Sequence, residues 1–213
     1  MRVQLGISSL TRLFYQVVPS SAIKILEVEM IEKYRRNRPL ELKSYNQWLW
    51  FKKIKNTDKK GKVKTIKIPV SPITLSSKGW NLREQWADFE TAIDGLQNSG
   101  CDGLSFILTK DDPFLCIDLD NVSEDKKALV DDFSETYIEI SQSGKGLHIF
   151  AKGEIADNFN NQIEKVEMYQ NNRCIAMTGN SIDGISNNII DKQSEIDRYS
   201  MSVLRLKRAL ESK

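Results

Sequence analysis

Between Gln47 and Met177 the apolar residues come in runs of strand length, divided by turn chemistry. Several of these runs carry a single charged or imidazole side chain between two apolar neighbours. Successive side chains on a strand point to opposite faces, so such a polar residue stands on the face its neighbours avoid. Gln47-Trp48-Leu49-Trp50-Phe51 predicts a first strand, rich in aromatic residues. Asn56-Thr57-Asp58-Lys59-Lys60-Gly61 is turn chemistry. Residues 63–68 alternate apolar and polar and predict a half-buried partner strand. Trp86, Phe89, Ile93 and Leu96 recur at helical spacing and predict a core-facing helix over 82–96. Further strands are predicted over 103–108, 114–120, 136–140, 147–151, 165–169 and 173–177. A short acidic helix is expected over 123–133 and a C-terminal helix over 194–210.

The order of these elements divides the chain into three parts. Residues 1–39 read as a basic leader with amphipathic helical pattern broken near Pro19, residues 40–182 as the main domain, and 183–213 as a linker and terminal helix. With 213 residues, 40% of them apolar and 28% charged, the chain can bury a core, which excludes a collagen, a disordered tail or a disulfide scaffold. The formal charge of +2 hides a division: residues 1–70 carry 16 Lys/Arg against 5 Asp/Glu, and the remainder is acidic. Lys52, Lys53, Lys55, Lys59, Lys60, Lys62, Lys64 and Lys67 crowd one hairpin. They read either as a solvated surface or as a wall for phosphates. Cys101, Cys116 and Cys174 have no C-x-x-C spacing, so neither a zinc ribbon nor a disulfide framework is implied, and reduced thiols of a cytoplasmic protein are expected. No apolar run is long enough for a transmembrane helix, and no signal peptide or membrane partner is expected.

Chemistry concentrates in four places. Asp118 and Asp120 sit two apart in an apolar strand, so both carboxylates share a face while Ile117 and Leu119 face a core. Two adjacent acids repel and favour protonation unless a cation lies between them, and such hard oxygen donors suit Mg²⁺ or Mn²⁺. His148, the one histidine, lies between Leu147 and Ile149, just after the tight turn Ser141-Gln142-Ser143-Gly144-Lys145-Gly146. That turn offers backbone N–H groups and Lys145 to a phosphate, without being a Walker A loop. Glu167 lies between Val166 and Met168, and Arg173 leads into Cys174-Ile175-Ala176-Met177-Thr178-Gly179-Asn180. Each piece alone is compatible with an ordinary turn or a half-exposed strand. Together, if their strands share a sheet, they put Asp118, Asp120, Glu167 and His148 on one face. Three carboxylates there can hold two metal ions for phosphoryl or nucleotidyl transfer.

The order hhhD-h-D, S-x-S-G-x-G-h-H, h-E-M-Y and R-x-h-x-h-T-G-N resembles the archaeo-eukaryotic primase superfamily, and within it the primase-polymerases of phages and plasmids. It is carried by Cys116-Ile117-Asp118-Leu119-Asp120, Ser141 through His148, Val166-Glu167-Met168-Tyr169 and Arg173 through Asn180. The upstream Gln47-Trp48, Lys67-Ile68-Pro69, Trp86/Phe89 and Gly103-Leu104-Ser105-Phe106 are similar too. The resemblance implies an α+β fold: a two-layer primase-polymerase core with an RRM-like catalytic sheet, joined to a small N-terminal α/β unit. It implies template-directed nucleotidyl transfer on single-stranded DNA, in the replication of a phage or mobile element, with two Mg²⁺ or Mn²⁺ ions. Asp118, Asp120 and Glu167 match the family's metal-binding acids and His148 its triphosphate-contacting histidine. Ser143, Lys145 and Arg173 fall where nucleotide contacts are expected, and Lys59, Lys60, Lys62 and Lys67 where DNA is expected. Such proteins commonly continue into a helical bundle and often a helicase, whereas this sequence stops at Lys213 and holds no zinc-binding cluster. A helicase supplied by another chain is therefore an expected partner. Two other readings stay open: a nucleic-acid-binding remnant without catalysis, and a D-x-D sugar transferase using Mn²⁺ and a nucleotide sugar.

Overall fold

The computed structural model describes residues 20–57, 61, 63–123, 126–155, 159–161 and 166–201, with backbone alone for 20–27 and 159–161. Helix α1 (Ser20–Asn37) leads into β1 (Trp48–Thr57) and β2 (Val63–Val70), an antiparallel hairpin. Helix α2 (Phe89–Ser99), β3 (Gly103–Leu108), β4 (Phe114–Leu119) and α3 (Lys127–Asp132) follow, then β5 (Ile138–Ile140) and β6 (Leu147–Lys152). The order closes with β7 (Phe159–Asn161), β8 (Val166–Tyr169) and β9 (Arg173–Ala176), and residues 193–201 are helical. The fold is α+β, with two antiparallel sheets in the orders β2-β1-β3-β9 and β5-β6-β4-β8-β7.

Asp88 starts α2 by accepting hydrogen bonds from the Thr91 amide and hydroxyl, and Gly100, in the left-handed region, ends it. The helix lays Phe89, Ala92, Ile93 and Leu96 on the four-stranded sheet, where they meet Trp48, Trp50, Leu104 and Phe106. The Trp50 indole donates to the Ala92 carbonyl at 2.7 Å. Gly95 permits this approach, since a Cβ there would lie 2.7 Å from the Trp50 ring. Tyr34 of α1 enters the same core and donates to the Met177 carbonyl at 2.9 Å. A second core gathers Leu115, Ile117 and Leu119 of β4 with Phe133, Ile138, Ile149, Met168 and Ile196. Each large apolar side chain so buried contributes about 1.5–3 kcal/mol. Between the sheets, the buried Asp112 accepts from the Thr109 amide and hydroxyl, the Phe114 amide and the Gln47 side chain. This fixes the turn from β3 into β4, so Gln47 ties the start of one sheet to the entry of the other.

Four expectations need correction. Most of β2 is uncovered on both faces: Val63 and Ile66, which point to opposite sides, are 57% and 37% exposed, and β1 is exposed from Lys52 to Thr57. The hairpin extends beyond both cores, so alternation there does not mean half-burial. The helix over 82–96 begins only at Phe89; Arg83–Gln85 is one 3₁₀ turn and Trp86 is extended. Residue 87 is held extended by pairing with Trp48, and Asp88 then caps. The acidic helix over 123–133 is confined to α3, and β4 ends one residue before Asp120.

Candidate active site

The alternation in β4 puts Leu115, Ile117 and Leu119 in the second core and Phe114, Cys116 and Asp118 on the opposite face. Phe114 and Cys116 pack into the first core, and Asp118 stands where that core gives way to a cleft. Register then aligns the chemistry: Asp118 pairs with His148 of β6 on one side and with Glu167 of β8 on the other. His148 in turn pairs with Glu139 of β5. A row of polar residues thus crosses the sheet on the face opposite Ile138, Ile149, Ile117 and Met168.

His148 is buried, with Nδ1 2.9 Å from Glu139 Oε1 and Nε2 3.8 Å from Asp118 Oδ1. Burial pushes the Asp118 carboxyl above the usual carboxylate range, and the charges of Asp120 and Glu167 push it further; His148 and Lys67 oppose this. Glu167 accepts from the Tyr169 hydroxyl at 2.5 Å and lies 3.7 Å from the Arg173 guanidinium, which stacks 3.9 Å over the Tyr169 ring. Asp118 and His148 open into a cavity of about 430 Å³ whose opposite wall comes from the other sheet. That wall presents Thr65, Lys67 and Pro69 of β2, Phe51 of β1, and Arg173 and Cys174 of β9, with Trp80 from the segment between β2 and α2. Burial pushes the Lys67 ammonium down and the Cys174 thiol up to about 12. The three cysteines are free.

Asp118, His148, Arg173 and Lys67 therefore line one cleft built by two different sheets, with Glu167 beside Asp118 in the register and next to Arg173. Asp120 is exposed, just beyond β4. Ser143 and Lys145 are exposed in the turn between β5 and β6 and do not line the cavity. The Ser143 hydroxyl instead accepts from the Lys145 amide at 3.2 Å and contacts the Ser141 hydroxyl at 3.1 Å. The turn does abut the acidic strand: a Cβ on Gly146 would lie 2.1 Å from the Leu119 carbonyl oxygen. Lys59, Lys60 and Lys62 lie outside the described residues. Sequence reasoning missed Glu139, although Ile138-Glu139-Ile140 has the same pattern as Val166-Glu167-Met168. It missed Trp80 and Thr65 as well, which only the approach of the second sheet brings to the cavity.

Around Asp118 stand the Glu167 carboxylate and the His148 imidazole, with Asp120 two residues on, and the carboxylates suit a hard cation such as Mg²⁺ or Mn²⁺. A cation would offset the burial and the neighbouring negative charges that hold Asp118 toward protonation. Among the described residues, no three His, Cys, Asp or Glu side chains are already drawn together around a metal position. No described helix is long and apolar enough to cross a membrane.

No protein-family model matches the chain. A curated protein named DNA Primase-polymerase, from Nitratiruptor phage NrS-1, is 32% identical to it over 155 residues. The aligned region is 67% of this chain and 20% of that protein, so the chain spans only a fraction of the relative's length.

Proposed function

We propose, from the premise that this chain is of the phage primase-polymerase type, that its described unit carries the nucleotidyl-transfer site of a DNA primase-polymerase. One observation supports this above the others: Asp118 stands in register between His148 and Glu167, at the edge of a cleft walled by Lys67 and Arg173. Carboxylates on one wall and cations on the other suit a metal-bound triphosphate. Divalent ions held by Asp118, Asp120 and Glu167 would supply activation of an attacking 3′-hydroxyl and neutralisation of the leaving pyrophosphate.

The chain's own residues do the rest. Asp118 is desolvated, so its charge is costly unless a cation offsets it. Arg173 and Lys67 offer positive charge to phosphate oxygens across the cleft. His148 offers Nε2 from the catalytic sheet. The basic hairpin extends beyond the cores, and there its lysines can follow a strand of DNA. The two-layer arrangement of such enzymes fits this reading, with the five-stranded sheet as its catalytic sheet and the β1–β2 hairpin in the smaller unit.

A reading as a binding remnant without catalysis draws on one observation, the hold of Tyr169 and Arg173 on Glu167. The discriminating experiment is primer-free and primed synthesis on single-stranded DNA, with deoxynucleotides or ribonucleotides and with Mg²⁺ or Mn²⁺. Metal-dependent incorporation supports the proposed function. Tight DNA binding with no incorporation under any of these conditions selects the remnant.

A further inference from the structure

We infer that Glu139 is a positioning residue: it accepts a hydrogen bond from the Nδ1–H of His148 and leaves Nε2 as the ring nitrogen that faces the cleft. The Glu139 side chain has no solvent exposure. Its oxygens receive hydrogen bonds from groups that can only donate to a carboxylate. The Thr178 amide reaches Oε1 at 3.1 Å and Oε2 at 3.0 Å, and the Gly179 amide reaches Oε2 at 3.0 Å. The Tyr137 hydroxyl donates to Oε2 at 2.9 Å. A carboxylate held by these donors on both oxygens can only accept. The remaining partner of Oε1, His148 Nδ1 at 2.9 Å, must then be a donor. In a neutral ring protonated there, Nε2 keeps the lone pair. Its distance of 3.8 Å from Asp118 Oδ1 is too long for a direct hydrogen bond and leaves Nε2 open to a ligand.

The same carboxylate joins the two sheets. His148 belongs to the five-stranded sheet, whereas Thr178 and Gly179 follow β9 of the four-stranded one. Gly179, at φ 63°, adopts the left-handed conformation that aims successive amides at one anion. The turn is itself braced. Thr178 Oγ1 donates to the Ile140 carbonyl at 2.7 Å, and the Ile140 amide donates to the Asn180 carbonyl at 2.8 Å. From α1, Asn37 donates to the Gly179 carbonyl at 2.9 Å and Lys33 to the Asn180 side chain at 2.9 Å. The Thr178-Gly179-Asn180 segment thereby acts on the site through Glu139. The bearing of this on catalysis rests on the nucleotide-facing role proposed for His148; the tautomer does not.

His148 is the only histidine of the chain, so imidazole ¹⁵N spectra of the full chain report it alone. At alkaline pH, where the ring is neutral, the wild type is expected to show a protonated Nδ1 and an unprotonated Nε2. In Glu139→Gln the backbone amides claim the amide oxygen, and the side-chain NH₂ faces Nδ1 as a donor. The ring then switches to the Nε2–H form, and the nucleotide KM rises roughly tenfold while kcat changes by less than about threefold. Tyr137→Phe removes one donor and keeps the wild-type pattern. An Nε2–H ring in the wild type, or an unchanged ring in folded Glu139→Gln, overturns the assignment. The wild-type spectrum decides even if the variant does not fold. An Nδ1–H ring in a protein that incorporates no nucleotide sinks the proposed function and leaves Glu139's assignment standing.

Discussion

Gly146→Ala perturbs the proposed site through space alone. A Cβ at this position would meet the Leu119 carbonyl oxygen at 2.1 Å, the Ser141 hydroxyl oxygen at 3.0 Å and the Asp120 carbonyl carbon at 3.2 Å. Side chains do not approach a backbone oxygen closer than about 3 Å, so the turn or the end of β4 must retreat by roughly 1 Å. Leu119 lies between Asp118 and Asp120, so the displacement falls on both carboxylates. A misplacement of about 1 Å costs on the order of 100-fold in rate, or about 2.7 kcal/mol in the barrier. Gly144, two residues earlier in the same turn, is the control. It has φ 71°, and a Cβ added there would meet nothing within 4 Å, so alanine brings backbone strain but no clash. That strain costs about 1–2 kcal/mol of stability and leaves the acids where they are. The assay is kcat/KM for primed extension, with the melting temperature of each variant measured alongside. Gly146→Ala should lose about 100-fold and Gly144→Ala less than about threefold. A Gly146→Ala protein with activity within about threefold of wild type would refute the claim that this turn sets the position of the acidic strand.

Three further outcomes follow from the same geometry. Burial and the charges of Asp120 and Glu167 raise the folded-state pKa of Asp118, so its ionised form opposes folding; the cost is absent below the unfolded-state value of 3.8 and full above the raised value. Asp118→Asn should therefore raise the metal-free melting temperature at neutral pH, and the gain should vanish as pH falls toward 3.8; a gain that persists in acid contradicts this. Lys67→Gln removes a cleft cation and should weaken nucleotide binding about tenfold, the scale of one charge-assisted hydrogen bond; titration with nucleotide and metal checks it, and unchanged affinity removes Lys67 from the phosphate wall. Replacing Lys59, Lys60 and Lys62 together by glutamine should flatten the salt dependence of single-stranded DNA binding by about 0.7 in log–log slope per lost phosphate contact; an unchanged slope places the DNA elsewhere.

The strands were legible because their polar residues sit alone among apolar ones. Residues 103–108 form β3 as read, and the faces of β4, β6 and β8 follow from Ile117, Ile149 and Met168 opposing Asp118, His148 and Glu167. Their mutual register was not legible, since it depends on pairing between segments far apart in sequence. Nor was the second wall of the cleft, which needs β9 to leave the sheet of Asp118 and pair with β3. Trp86 misled because a three-residue step from Trp86 to Phe89 fits a helix as well as a chain that turns at a capping Asp88. Val63 and Ile66 misled for another reason: alternation reports two faces of a strand but not whether anything covers either. Glu139 carried the same signal as Glu167 in a strand of only three residues. Its significance lies in the amides of Thr178 and Gly179, which the sequence places far from it.

The most direct measurement compares wild type with Asp118→Ala in extension of a labelled primer on single-stranded DNA, with Mg²⁺ or Mn²⁺, at protein concentrations giving equal DNA occupancy. The account predicts metal-dependent extension by the wild type and a loss of about 10³-fold or more in the variant, the scale of removing a charge-stabilising group from a transition state. Equal extension by the two proteins would contradict it.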